Sequence, residues 1–78
     1  MATPGTALRK RSVRIAGHRT SVSLEDAFWR ELADLAHRRG ISVNALIAAI
    51  DAERGGNLSS AIRVYVLEMR RGASDQPP

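Results

Sequence analysis

The sequence predicts a mainly α-helical domain that begins with one short β-strand. Residues 19–24 alternate polar and apolar side chains with the period of two that is typical of a half-buried strand. Segments with the helical spacing of apolar residues follow, and glycines separate them. A chain of 78 residues is long enough for one domain, which we expect over residues 12–71, between a flexible basic arm over 1–11 and a disordered tail over 72–78.

The strand at residues 19–24 requires a partner, because an isolated strand leaves the backbone groups of both its edges unpaired. Its apolar face is formed by Thr20, Val22 and Leu24, and its polar face by Arg19, Ser21 and Ser23. The sequence allows two pairing partners for this strand. One is the segment 12–15 of the same chain, where Val13 and Ile15 alternate with polar residues before a turn at 16–18, and the other is the same strand of a second chain.

The first helix is expected from Glu25 to Arg38 or Arg39, with Gly40 as its terminator. Acidic residues in its first turn and basic residues in its last turn suit the helix dipole. Its apolar stripe consists of Phe28, Leu32, Leu35 and Ala36. Trp29 lies beside this stripe and is expected to pack in the core or in a dimer interface.

The second helix is expected to begin after Ser42, whose hydroxyl can cap it, and to end before Gly55 and Gly56. Its apolar stripe consists of Val43, Leu46, Ile47 and Ile50.

A third helix is expected from Leu58 or Ser59 to Arg70 or Arg71, capped by Asn57 or Ser59 and stopped by Gly72. Its apolar residues are Ala61, Ile62, Val64, Tyr65, Val66, Leu67 and Met69. A helix that is apolar nearly all round must be buried on more than one side, which a small monomer can hardly provide. The third helix therefore indicates a dimer.

Positive charge is concentrated before the first acidic residue, Glu25. The basic residues there are Arg9, Lys10, Arg11, Arg14 and Arg19, and the remaining basic residues are outnumbered by acids in a chain of net charge +4. Such a basic segment beside a polar strand face indicates a polyanionic partner, since Lys and Arg displace condensed counterions from phosphates. A solvated basic tail is the alternative.

Several classes of function and location are disfavoured. The chain has no cysteine, and His18 and His37 are too far apart for a local ligand motif, so we expect no metal and no cofactor. No nucleophile motif or phosphate-binding glycine loop is present, which argues against an enzyme. The absence of a long apolar stretch or a secretory signal predicts a cytoplasmic protein, although the acid-free, Arg- and Ser-rich residues 1–24 also resemble a transit peptide.

The segment RTSVSLEDAFWRELADLAHRRGISVNALIAAI, residues 19–50, resembles the ribbon-helix-helix family of bacterial DNA-binding proteins, the Arc and methionine repressor class. The resemblance rests on the order strand, helix, Gly-x-Ser-x-Asn corner and helix. It implies that two chains pair their strands antiparallel in a homodimer, that the polar strand face enters the major groove, and that the third helix is an addition at the C-terminus.

The resemblance also implies roles for individual residues. It places Arg19, Ser21 and Ser23 on base edges, although Ser23 is also a candidate cap for the first helix together with Asp26. It places the second-helix N-terminus on phosphates, so the expected phosphate-binding residues, with those of the basic arm, are Ser42, Val43, Asn44, Arg9, Lys10, Arg11 and Arg14. The expected dimer core is Thr20, Val22, Leu24, Phe28, Leu32, Leu35, Val43, Leu46, Ile47, Ile50, Ile62, Tyr65, Val66 and Met69.

The sequence thus predicts a sequence-specific, homodimeric DNA-binding protein that regulates transcription as a repressor, with tetramers on DNA as an option. The alternative is an antitoxin-type or non-DNA-binding interaction module that holds a protein partner on the third helix.

Overall fold

The chain folds into a β-hairpin followed by three helices. A computed structural model describes residues 5–53 and 56–74. The elements are, in chain order, β1 (Leu8–Ile15), β2 (His18–Glu25), α1 (Asp26–Arg39), α2 (Val43–Glu53) and α3 (Leu58–Ser74). The predicted order of one strand followed by three helices is confirmed as β2, α1, α2 and α3, and a further strand, β1, precedes them.

β1 and β2 form a two-stranded antiparallel sheet, in which the register runs from Leu8 opposite Glu25 to Ile15 opposite His18. Of the two partners considered for the strand at 19–24, the structure shows the segment of the same chain. The backbone groups on this edge of β2 are therefore paired with β1, and pairing with a second chain is not required for them. β1 also begins well before residue 12. Residues 8–11 therefore lie in the sheet and not in the expected flexible arm, and residues 1–4 fall outside the described residues.

A two-residue turn joins the strands. Ala16 and Gly17 both have positive φ, at 52° and 81°. Positive φ at both central positions is the feature of the type I′ turn, whose twist matches that of the flanking strands. Gly17 adopts this conformation freely, whereas the Cβ of Ala16 makes it costly.

The ends of the helices follow local capping signals. Gly40 ends α1 with a left-handed φ of 71°, as predicted. Ser42 caps α2, since its Oγ accepts the Ala45 N–H at 3.0 Å, and Asn57 caps α3, since its Oδ1 accepts the Ser60 N–H at 3.0 Å. The predicted break at Gly55 lies outside the described residues.

One candidate helix cap and one predicted helix end are wrong. The residue before α1 is Glu25, which makes no side-chain capping bond, and Ser23 lies in β2, so Ser23 does not cap α1. α3 runs through Gly72 to Ser74, because a single glycine costs a helix only about 1 kcal/mol unless it adopts the left-handed conformation. The expected tail over 72–78 is therefore shortened, and residues 75–78 are outside the described part.

A single hydrophobic core is built from one chain. Its buried members come from β2 and all three helices: Val22, Leu24, Trp29, Leu32, Ala36, Leu46, Ile47, Ile50, Ile62 and Val66. Trp29 is buried and belongs to this core, whereas Phe28 and Leu35 of the predicted stripe are only partly buried against it. The core side of α1 is therefore turned toward Trp29 relative to the prediction.

The residues expected to seal a dimer are for the most part buried inside the monomer. Ile62 and Val66 turn one side of α3 toward the core, while Val64 and Leu67 on other sides are 51% and 54% exposed. Met69 follows Ile62 and Val66 on the same side of the helix and is 43% exposed. α3 was expected to be buried on more than one side, and within the monomer only one side of it is buried. Among the described residues, no helix is long and apolar enough to cross a membrane.

Candidate nucleic-acid interface

The hairpin presents one side to the core and one side to solvent, because residues that face each other in an antiparallel pair share a side of the sheet. Val13 and Ile15 of β1 join Val22 and Leu24 of β2 on the core side. The opposite side, here called the outer face, consists of Lys10, Ser12 and Arg14 of β1 and Arg19, Ser21 and Ser23 of β2. The structure therefore brings the three predicted base-reading residues together and adds three residues of β1.

The basic residues of β1 are divided between the two sides. Lys10 and Arg14 lie on the outer face. Arg9 is on the core side, with its Nε 2.9 Å from Asp26 Oδ1, and the Arg11 guanidinium carbon lies 4.8 Å from the centroid of the Trp29 ring. Because alternation along a strand sends neighbouring side chains to opposite sides, the four basic residues predicted to bind phosphate do not share one side of the sheet, and their phosphate role stays a prediction.

Arg14 and Arg19 stand directly opposite each other on the outer face. Their backbone groups point away from the partner strand, so they form a non-hydrogen-bonded pair, the type in which facing side chains lie closest. Both side chains are exposed, and the described part of the chain contains no ion pair to either one. The outer face thus concentrates positive charge at the end of the hairpin near the turn.

The N-terminus of α2 lies against the free edge of β1. The Asn44 side chain clamps the backbone of Arg14, since Oδ1 accepts the Arg14 N–H at 3.1 Å and Nδ2 donates to the Arg14 carbonyl oxygen at 2.6 Å. The Ser42 Oγ accepts the capping bond from the Ala45 N–H and keeps its own O–H for donation, whereas the Asn44 amide is engaged with Arg14. The phosphate role of these two side chains stays a prediction. The N–H groups of Val43 and Asn44 precede the first intrahelical bond, from Leu46 N–H to the Ser42 carbonyl, and remain suitable for an anion.

α3 holds the free edge of β2 near the other end of the hairpin. The Ser23 N–H donates to Ser59 Oγ at 3.2 Å, and Arg63 Nη2 donates to the Ser23 carbonyl oxygen at 3.2 Å. Arg63 Nε also donates to Glu25 Oε1 at 2.9 Å, and this hydrogen bond holds the pKa of the Glu25 carboxyl below its ordinary value. Ser59 and Arg63 thus support the ribbon, a role that no local pattern in the sequence indicates.

A groove of about 530 Å³ lies between α2 and α3 and involves none of the residues of the outer face. Val64, Tyr65 and Ile50 contribute its apolar lining, and Arg39 and Glu68 contribute charges. Within residues 5–53 and 56–74, no group of three or more His, Asp or Glu side chains is arranged to hold a metal ion.

Comparison with known proteins agrees with this architecture. The family model described as "Ribbon-helix-helix domain" matches residues 8–69, which include β1 and most of α3. A solved structure of an uncharacterized protein from Bordetella pertussis Tohama I superposes with a TM-score of 0.81 at 29% identity, over 92% of this chain and 62% of that one. The chain thus spans less than two thirds of that protein, and no curated protein matches it. With a matching family model over residues 8–69, the chain belongs to the ribbon-helix-helix domain family.

Proposed function

We propose that the protein is a sequence-specific DNA-binding regulator of transcription that inserts the outer face of its hairpin into the major groove. The observation that carries this proposal is a two-stranded ribbon with one exposed polar side, on which the cations Lys10, Arg14 and Arg19 have no ion-pair partner among the described residues. The major groove of B-DNA admits a two-stranded ribbon, and guanidinium and hydroxyl groups can bond base edges there. Family membership supports the same class of function.

The proposed contacts divide by chemistry. Arg19, Ser21 and Ser23 are proposed to read base edges, with Arg19 as the most discriminating of the three because its planar fork can bond guanine O6 and N7. The backbone N–H groups at Val43 and Asn44 are proposed to contact phosphates and fix the ribbon in the groove.

The finer proposal is a homodimeric repressor in the bacterial cytoplasm, which binds two half-sites related by its dimer axis and excludes other proteins from them. The exposed apolar residues Val64 and Leu67, which lie three positions apart on one side of α3, support self-association through this helix. Pairing of β2 with its copy is less favoured, because the Ser23 backbone is already bonded to Ser59 and Arg63.

The test is retention of fragmented genomic DNA by the purified protein at near-physiological salt, followed by sequencing. We expect enrichment of fragments that share a short repeated half-site. Ser21→Glu places a negative charge on the outer face and should abolish the enrichment, whereas Ala33→Glu, at an exposed position of α1, is the matched control and should preserve it. Uniform, salt-labile retention by the parent, or equal enrichment by Ser21→Glu, would contradict the proposal.

A second candidate function is a protein-interaction module of antitoxin type that uses α3. Two exposed apolar side chains of α3 favour it: Val64, which lines the groove between α2 and α3, and Leu67, which lies next to Val64 on the helix surface. Leu67→Asp should remove a protein partner of α3. Because α3 is also the proposed dimer interface, the measurement that distinguishes the two functions is DNA retention by the parent. A parent that retains no DNA, with a partner lost on Leu67→Asp, would favour the second function.

A further inference from the structure

We propose that Arg14 of β1 is a specificity-determining residue that binds guanine beside Arg19, and that Asn44 is the positioning residue that holds it there. This inference rests on the proposed DNA-binding function and adds to it a base contact from the other strand of the hairpin. It differs from the sequence-based expectation, in which Arg14 and Asn44 were both assigned to phosphates.

The first step is the placement of two like charges directly opposite each other. Arg14 and Arg19 form a cross-strand pair on the exposed side of the sheet, and like charges in this position destabilise a hairpin. The structure describes no carboxylate paired with either guanidinium, although Arg9 and Arg63 on the same hairpin or against it have such partners. An anionic or acceptor-rich ligand between the two forks would relieve this repulsion.

The second step is the rigidity of the Arg14 backbone. Asn44 forms hydrogen bonds to both the N–H and the carbonyl of this one residue, at 3.1 and 2.6 Å, and thereby joins the edge of β1 to the N-terminus of α2. No comparable clamp is described at Arg19. A side chain that must reach a base edge in a fixed orientation benefits from such support, while a phosphate contact tolerates more freedom.

The third step concerns the chemistry of the ligand. The guanidinium fork matches the two acceptors O6 and N7 of guanine, and two forks side by side suit guanines on neighbouring base pairs. Phosphate oxygens offer the same kind of acceptor. Replacement of Arg14 by lysine distinguishes guanine from phosphate as the ligand. Lysine keeps the positive charge that binds a phosphate but lacks the bidentate fork that binds guanine.

The experiment compares the parent with Arg14→Lys in binding to duplexes selected from a random library, with Arg71→Lys on α3 as the matched control. We expect Arg14→Lys to lose roughly 5- to 150-fold of its preference for the selected duplex over one with the contacted guanine replaced, the range of one bidentate contact. Its affinity for non-specific duplex should stay within about twofold, because the charge is kept. The control should retain the full preference.

The outcomes distinguish failure of the proposed DNA-binding function from failure of the Arg14–guanine contact. A parent that selects no sequence overturns the proposed function. If the parent selects a sequence and Arg14→Lys retains the full preference for it, the guanine contact is overturned and the proposed function stands.

The positioning role of Asn44 is tested by coupling. Asn44→Ala should reduce the preference at the same base pair in the parent, and in the Arg14→Lys background it should cause no further loss there. An equal loss in both backgrounds would overturn the positioning role. Hydrogen exchange of the Arg14 amide, which should accelerate in Asn44→Ala, provides a readout that does not depend on DNA.

Discussion

Replacement of Ile62 by alanine tests whether α3 is part of the single-chain fold. Ile62 is fully buried, at 0% exposure, in the core formed with β2, α1 and α2. Ile62→Ala removes about three carbon groups, each contributing about 0.8 kcal/mol of transfer free energy, and leaves a cavity with a further cost. We therefore expect the free energy of unfolding to fall by about 3 kcal/mol, within the usual range for such substitutions.

That loss is large for a chain of this size. Domains have roughly 0.05–0.15 kcal/mol of stability per residue, so about 3 kcal/mol is a substantial share of the total for 78 residues. In a domain of this length each kcal/mol shifts the melting temperature by about 4–8 °C, so we expect Tm to fall by about 12–24 °C.

The assay is urea and thermal unfolding followed by circular dichroism, with Leu67→Ala as the matched control. Leu67 also lies on α3 but is 54% exposed, so its replacement should change the free energy of unfolding by less than about 0.5 kcal/mol in dilute solution. Equal and small effects of both substitutions would refute the packing of α3 described above. A concentration-dependent effect of Leu67→Ala alone would show that this side of α3 is covered in an oligomer.

Three further predictions concern the hairpin. Ala16→Asn should raise the free energy of unfolding by about 0.5–1 kcal/mol, because Asn-Gly suits a type I′ turn and relieves the alanine at positive φ; an unchanged or lower stability in urea titrations would argue against that turn. Because the Arg63 hydrogen bond lowers the folded-state pKa of Glu25, the stabilisation should be present above the ordinary glutamate pKa, about 4.3, and be lost as the pH falls through the folded value. The stability gap between parent and Glu25→Gln should accordingly close in acid, and a gap that persisted there would contradict the role of the carboxylate. Lys10→Ala should reduce the slope of log affinity for DNA against log salt by about one without altering the preferred sequence, and an unchanged slope would place Lys10 away from phosphates.

The ends of the helices could be predicted because their signals are local. Gly40, Ser42 and Asn57 act through backbone groups within a few residues, and each occupies the cap position expected from the sequence. Gly72 was expected to act in the same way and does not, since a glycine stops a helix only where the chain also turns into the left-handed conformation.

β1 was only partly visible in the sequence, for a physical reason. Val13 and Ile15 mark its core side, but the next residues on that side are Arg9 and Arg11, which destroy the apolar alternation. These arginines are accommodated by an ion pair with Asp26 and by the ring of Trp29, both on α1. A strand stabilised by such long-range partners cannot be read from its own residues.

The candidate interface could be predicted on β2 but not on β1 or α3. Alternation at 19–24 was sufficient to place Arg19, Ser21 and Ser23 on one side. The support of Ser23 by Arg63 joins residues 40 positions apart, and the clamp of Asn44 on Arg14 joins residues 30 positions apart. Hydrogen bonds of this kind depend on how the helices pack against the hairpin, which no spacing along the chain reveals.

Amide NMR spectra recorded during titration with a duplex selected from genomic DNA would show most directly whether the outer face of the hairpin binds DNA. We predict saturable shifts concentrated at residues 10–14, 19–23 and 42–44, with little change over residues 64–69 of α3. Shifts confined to α3, or weak shifts that spread over the whole chain and vanish at physiological salt, would contradict binding by the ribbon.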